Sequence, residues 1–156
     1  MVIYIFKVYP FGLHRFFKLI FSAVSMRISV FGLGYVGCVT AACFAKLGHE
    51  VMGVDVVASK VASINAAKVH LKEEGLDSMV AEAVKKGKLK ATTSTKEAIQ
   101  CSDISFICVG TPPQKDGAIN LSYLKKACKE IAYCLKEKSG HILVIRSTIF
   151  PGTSDL

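Results

Sequence analysis

The chain has 156 residues, a length that fits one domain with a sizeable core and is too short for two full domains. Hydrophobic residues make up 51% of the sequence, and the formal net charge is +8. Residues 1–25 contain basic but no acidic side chains, and residues 26–156 carry a mild positive surplus, mostly as scattered lysines. Because arginine clusters with interleaved aromatic residues are missing from this surplus, we expect no nucleic-acid partner.

The cysteines indicate a reducing compartment. None of the six forms a CxxC pair, and no histidine lies at metal-ligand spacing from them. We therefore expect neither a disulfide framework nor a metal site, and we expect the protein to be cytoplasmic.

Residues 1–25 form an apolar, basic extension that we expect to lie outside the fold. Charges, Pro10 and Gly12 interrupt it too often for a membrane span. Three interpretations stay open: a signal peptide with a short apolar run after Lys18, a basic amphipathic helix on a membrane surface, or upstream sequence preceding a domain that starts at Met26. The third is favoured, because the first strand begins directly after Met26.

From Arg27 onward, strand-like and helix-like segments alternate, which predicts an α/β fold. Helix 36–47 is nearly all apolar, which predicts that it is buried. The alternation is typical of βαβ units with right-handed crossovers, and hence of a Rossmann-type, doubly wound parallel sheet with helices on both faces. The predicted elements are strands at 28–31, 49–55, 89–93, 103–110 and 141–148, and helices at 57–66, 76–84, 95–100 and 121–135 in addition to 36–47.

A glycine-rich loop follows the first strand, with the spacing Gly32-x-Gly34-x-x-Gly37. In this context Gly32 permits a tight turn, Gly34 lets the backbone approach a pyrophosphate, and Gly37 allows close packing of helix and strand. The helix that begins near Tyr35 then directs its free N–H groups toward the phosphates. The loop predicts a dinucleotide site.

Asp55 closes the second strand, 18 residues after Gly37, where a dinucleotide-binding domain places an acidic residue. Its carboxylate would accept hydrogen bonds from ribose hydroxyls and repel a 2′-phosphate, which predicts NAD rather than NADP as the cofactor. Asp55 also suits a cap for the following helix, and the two roles are compatible.

Two further loops should open at the same edge of the sheet, Gly110-Thr111-Pro112 and Arg146-Ser147-Thr148. Their hydroxyls suit a cofactor or a reacting group, and equally suit turns and caps. Lys60 is interpreted either as a ligand of the adenosine ribose or as a lysine on a solvated helix surface. The four histidines are scattered, and no cysteine has an evident activating base, so no catalytic constellation is visible.

Taken together, the motifs resemble the N-terminal domain of the UDP-glucose/GDP-mannose dehydrogenases. These motifs are MRISVFGLGYVG, GHEVMGVDV, EEGL, SFICVGTPP, LKEKS and RSTIFPGT, and they extend over essentially all of residues 26–156. SFICVGTP and RSTIFPGT resemble the GDP-mannose 6-dehydrogenase branch, since the UDP-glucose branch more often has Lys-Ser-Thr at the last motif.

The resemblance implies a parent enzyme that oxidises the C6 alcohol of a sugar nucleotide to a carboxylate with two NAD in succession. It implies that Tyr35 and Val36 meet the pyrophosphate through their backbone and that Asp55 and Lys60 flank the adenosine ribose. It places Thr111 along the cofactor and Thr148 near the nicotinamide, where Thr148 helps to hold a reacting water. It also implies a homo-oligomer for the full-length enzyme and a polysaccharide-biosynthesis role.

Two departures from the family pattern bear on activity. The usual Glu-Pro-Gly-Leu is Glu73-Glu74-Gly75-Leu76 here, which frees the loop and adds a charge. The family's catalytic cysteine and lysine, its central helix and its substrate domain lie beyond residue 156, so we expect the chain to be inactive alone. The alternatives are a UDP-glucose 6-dehydrogenase domain, a stand-alone NAD-binding regulatory module, and a membrane-surface protein recruited by residues 1–25.

Overall fold

The computed structural model describes residues 25–69, 71, 73–115, 117–150 and 153. Residues 1–24, which contain nearly all of the predicted N-terminal extension, lie outside the described residues. The strands are β1 Arg27–Phe31, β2 Glu50–Val54, β3 Leu89–Thr92, β4 Ile104–Ile107 and β5 Ile142–Ile145. The helices are α1 Tyr35–Lys46, α2 Ala58–Asn65, α3 Leu76–Lys85, α4 Thr95–Cys101 and α5 Ser122–Leu135.

The five strands form one parallel sheet in the order β3-β2-β1-β4-β5. In the register, Val30 of β1 lies between Gly53 of β2 and Phe106 of β4. The chain order therefore reverses direction between β1 and β4, and the cleft beyond the carboxyl ends of these two strands is where doubly wound sheets bind ligands. The glycine loop leaves β1 at this cleft.

A hydrophobic layer covers each face of the sheet, because neighbouring strand residues point to opposite faces. Ile28 and Val30 of β1 pack with α1, α2 and α3 on one face, and Phe31 packs with α4 and α5 on the other. Ile28, Val30 and Ile99 are at most 1% exposed. Full burial of such side chains contributes about 1.5–3 kcal/mol each to folding.

The predicted fold class, element order and parallel sheet are confirmed. The strands β4 and β5 are shorter than predicted: β4 ends at Ile107 rather than residue 110, and β5 ends at Ile145 rather than residue 148. The sequence stays apolar at Cys108 and Val109 after β4 and turns polar at Arg146-Ser147-Thr148 after β5, and in both places the chain forms the loops of the cleft.

The prediction that the first helix is buried holds on one side only. Ala41 and Ala42 of α1 are buried, whereas Val36 is 43% exposed and Leu47 is 51% exposed. Small residues such as Ala41 and Ala42 face the core and let α1 approach the sheet closely, whereas Val36 at its start and Leu47 just after its end are left exposed. The apolar composition therefore predicted that a helix forms here, but it did not predict which of the apolar residues would be exposed. Among the described residues, no helix is long and apolar enough to cross a membrane.

Candidate cofactor site

The glycine loop packs closely against the end of β4 and the start of α1. Gly32 has a φ of +94°, and a Cβ there would lie 2.9 Å from the carbonyl oxygen of Cys108. A Cβ on Gly37 would lie 1.7 Å from the carbonyl oxygen of Gly32. No side chain can be added at either position without moving backbone, so both glycines serve the turn and the packing as predicted.

Gly34 differs from these two glycines, because nothing in the described structure requires glycine there. Its φ is −74°, and an added Cβ would meet no heavy atom within 4 Å. Gly34 is also the N-cap of α1, with no side-chain cap and no acidic residue in the first turn. The open space and the uncapped N-terminus fit an anionic group such as a pyrophosphate. The arrangement therefore suits the predicted dinucleotide.

Asp55 ties the end of β2 to the glycine loop. Its Oδ2 accepts the backbone N–H of Leu33 at 2.8 Å, and its Oδ1 accepts that of Val57, the N-cap of α2, at 2.9 Å. The side chain is buried, and a carboxylate has about four lone-pair sites. Asp55 thus supports the loop and leads into α2 while keeping acceptor capacity for a ribose hydroxyl.

Lys60 lies on the first turn of α2, with Nζ 3.3 Å from Oδ2 of Asp55. Its side chain is 32% exposed, so it is neither a purely solvated lysine nor a buried one. The pair brings both predicted ribose-binding side chains to one place at the carboxyl end of β2.

Thr111 and Thr148 meet at the opposite side of the cleft. Oγ1 of Thr111 donates to the carbonyl oxygen of Thr148 at 2.9 Å. Oγ of Ser147 donates to the carbonyl oxygen of Val109 at 2.7 Å. These bonds join the loop after β5 to the loop after β4, and Thr148 is held through its main chain. Within the described part of the chain, the Thr148 hydroxyl makes no hydrogen bond.

The side chain of Tyr35 bonds to the segment that precedes α3, whereas its predicted contact with the pyrophosphate is through its backbone. The phenol donates to Oε2 of Glu73 at 2.6 Å, and this bond raises the pKa of Tyr35. Val36, the next residue, is 43% exposed. Glu73 belongs to the segment that departs from the family pattern, and its bond to Tyr35 links that segment to α1.

Sequence reasoning missed two contacts that shape the site. One is the bond from Leu33 to Asp55, and the other joins Nη1 of Arg146 to Oγ1 of Thr40 on α1. Thr40 gave a weak signal, as a hydroxyl within a mainly apolar helix. Its partner lies 106 positions away, so only the fold reveals the pair.

No nucleophile presents itself among the described residues. Burial raises the pKa of Cys38 to about 11 and also raises that of Cys108, which disfavours the thiolate in both. The six cysteines are free thiols, and no group of three His, Cys, Asp or Glu in the described segments could hold a metal ion. The site is built to hold a ligand at the edge of the sheet.

The parallel sheet, the uncapped helix behind a tight glycine turn, and the acid at the end of β2 define a dinucleotide-binding domain of the Rossmann type. Residues 26–156 match the family model described as "UDP-glucose/GDP-mannose dehydrogenase family, NAD binding domain", and the chain belongs to this family. Its cofactor is NAD.

The chain is similar to GDP-mannose 6-dehydrogenase of Pseudomonas aeruginosa, with 49% identity over 129 residues, which cover 82% of this chain and 30% of that protein. UDP-glucose 6-dehydrogenase of Rhizobium meliloti is 40% identical over 131 residues, which cover 83% of this chain and 30% of that protein. The crystal structure of a ternary complex of the P. aeruginosa GDP-mannose dehydrogenase superimposes with a TM-score of 0.82 at 48% identity, over 83% of this chain and 30% of that one. The chain therefore spans about a third of the length of these relatives, and the GDP-mannose relative is the more similar of the two branches, as the motifs predicted.

Proposed function

We propose that the cleft beyond β1 and β4 holds NAD, as the cofactor-binding part of a dehydrogenase that oxidises the C6 alcohol of a GDP-linked hexose. The observation that carries the proposal is Gly34, where the protein leaves open space directly at the uncapped start of α1. The identity to the GDP-mannose relatives supports this substrate, and the 40% identity to a UDP-glucose relative makes a UDP-linked sugar the second candidate.

Each end of the cofactor has its own residues in this proposal. The backbone of Gly32, Gly34 and the first turn of α1 receives the pyrophosphate. Asp55 and Lys60 receive the adenosine ribose, and the carboxylate disfavours the 2′-phosphate of NADP. Thr111 lies along the cofactor, and the Thr148 hydroxyl faces the reacting end.

NAD supplies a hydride acceptor, and the residues of this chain bind and orient it. Among the described residues, no group is placed to remove a proton from the substrate or to form a covalent intermediate. We propose that turnover needs the catalytic cysteine and lysine implied by the family resemblance. A homo-oligomer and a cytoplasmic location are proposed on that resemblance and on the free thiols.

Calorimetric titration of the 156-residue chain with NAD and with NADP tests the proposal. We expect NAD to bind and NADP to bind at least about tenfold more weakly, a difference of about 1.4 kcal/mol. Equal affinity for both would remove Asp55 from the ribose site, and no binding by a folded chain would overturn the proposal.

A further inference from the structure

We infer that Arg146 is a positioning residue that fixes the loop carrying Thr148 against α1, and so sets the nicotinamide end of the site relative to its pyrophosphate end. The inference deepens the proposed function and rests on it. It concerns a residue that makes none of the cofactor contacts proposed above.

Arg146 connects three elements. Its backbone N–H donates to the carbonyl oxygen of Ile107 at 2.8 Å, which extends the β4–β5 pairing one residue beyond β5. Its guanidinium reaches across to α1, where Nη1 donates to Oγ1 of Thr40. A single residue thus joins the ends of β4 and β5 to the helix that receives the pyrophosphate.

The Thr40 hydroxyl can pair with Arg146 only if the partner group is a hydrogen-bond donor. The Thr40 hydroxyl is buried and gives its only hydrogen to the carbonyl oxygen of Val36 at 2.6 Å. Toward Arg146 it can only accept, and a guanidinium is a pure donor with a rigid fork of N–H groups. Thr40 and Arg146 are therefore complementary.

The Arg146 guanidinium also lies near Cys108, the residue that packs beneath the glycine loop. Arg146 opposes the effect of burial on the Cys108 pKa, which shows that its charge is near that thiol. Cβ of Cys108 in turn lies 3.5 Å from where a Cβ on Gly37 would be. The guanidinium therefore lies near a residue that packs close to Gly37 in the first turn of α1.

Arg146 is the member of its loop that reaches α1. Ser147 bonds to the segment after β4, and the Thr148 carbonyl accepts from Thr111, which belongs to that same segment. Those two bonds keep the loops together but leave their distance from α1 unspecified. Among the described contacts of residues 146–148, the bond to Thr40 specifies that distance.

A positioning role makes a prediction that a general electrostatic role does not. ADP-ribose has the same two phosphates and both riboses as NAD but lacks the nicotinamide. If Arg146 only attracted phosphates, removing it would weaken NAD and ADP-ribose alike. If it sets Thr148 relative to α1, its loss should weaken NAD more than ADP-ribose.

The experiment titrates NAD and ADP-ribose into the 156-residue chain and four variants. We expect Arg146→Met and Thr40→Val each to raise the Kd for NAD about tenfold while that for ADP-ribose changes less than about twofold. Thr40→Ser keeps the acceptor and should match wild type. The Thr40→Val/Arg146→Met double variant should be no weaker than either single one, because all three lose the same bond.

The result that overturns the inference is an equal loss for both ligands, or unchanged NAD binding in both single variants. Thr40→Val, which keeps the charge and nearly the size, decides the matter if Arg146→Met does not fold. A folded wild-type chain that binds neither ligand overturns the proposed function and the inference with it. If the wild-type chain binds NAD and both single variants bind it with the same Kd, the inference is overturned and the proposed function stands.

Discussion

Oδ2 of Asp55 accepts the backbone N–H of Leu33 at 2.8 Å, so the carboxylate at the end of β2 holds the loop that follows β1. Both residues are buried, and the N–H would otherwise lack a partner in a dry environment. The acid that the motif assigns to the ribose is thus also a structural part of the loop that binds the pyrophosphate.

Replacing Asp55 should therefore affect stability as well as binding. We expect Asp55→Ala to lower the free energy of unfolding by about 1–3 kcal/mol, because it leaves the Leu33 N–H unpaired, and to weaken NAD binding. Urea unfolding and calorimetry on the same preparation measure the two effects. As a control, Asp77→Ala at the exposed start of α3 should change neither by much. Full stability in Asp55→Ala would contradict the supporting role.

Substitutions at two glycines of the loop should distinguish an effect on folding from an effect on NAD binding. We expect Gly37→Ala to destabilise the chain by about 3 kcal/mol or more, because the added Cβ collides with the Gly32 carbonyl. Gly34→Ala should melt close to wild type, because its Cβ meets only open space, yet should weaken NAD binding about tenfold or more. Thermal melting and NAD titration of the two variants give the comparison. Normal NAD affinity in a folded Gly34→Ala chain would place the pyrophosphate elsewhere.

Lys138, part of the LKEKS motif, acts as a cap for a helix rather than as a ligand-binding residue. Its ammonium donates to the carbonyl oxygen of Ile99 at 2.5 Å and to that of Ser102, at the carboxyl end of α4. We expect Lys138→Met to cost about 1.5–3 kcal/mol of stability, because hydrogen bonds from a charged donor to carbonyls at the carboxyl end of α4 are lost. The matched control is Lys136→Met, an exposed lysine two residues away that loses only its contact with the Tyr133 ring and should cost about 1 kcal/mol at most. Equal effects in urea unfolding would contradict the capping role.

Stability should fall as the solution is acidified from pH 7.5 to 5.5. Burial lowers the pKa of His49 and of His141. In the unfolded chain both have a pKa near about 6.5, so the unfolded state binds more protons below that value. The contribution of the neutral histidines is complete above the unfolded pKa and is lost as pH falls through the folded pKa. Urea unfolding across this range checks the direction, and His141→Gln should flatten the dependence without removing the part due to His49.

The chain as it stands should bind NAD without oxidising a sugar. With GDP-mannose and NAD we expect no NADH absorbance at 340 nm above the background without protein. The reason is that burial raises the pKa of both thiols next to the glycine loop, Cys38 and Cys108, and that no base beside either thiol is found among the described residues. NADH formation that tracks the protein concentration would contradict this expectation.

The sequence predicted the fold because its signals are local. The period of the apolar residues predicted each strand and helix of the described chain, and the spacing from Gly37 to Asp55 predicted where the acid lies. The cleft contacts were harder to predict, because they depend on distant residues. Nothing near Thr40 or Arg146 in the sequence indicates that they meet, and nothing in LKEKS indicates that Lys138 caps α4. The motif also predicted a ribose ligand at Asp55 without its second role at Leu33.

An amide NMR titration of the ¹⁵N-labelled 156-residue chain with NAD tests most directly whether the cofactor binds in the cleft beyond β1 and β4. We expect the largest shift changes on Gly32, Gly34 and the first turn of α1, on Asp55, and on the two loops that carry Thr111 and Thr148, with the amino ends of the strands unaffected. Changes concentrated away from this cleft, or a folded spectrum that NAD leaves unaltered, would contradict binding there.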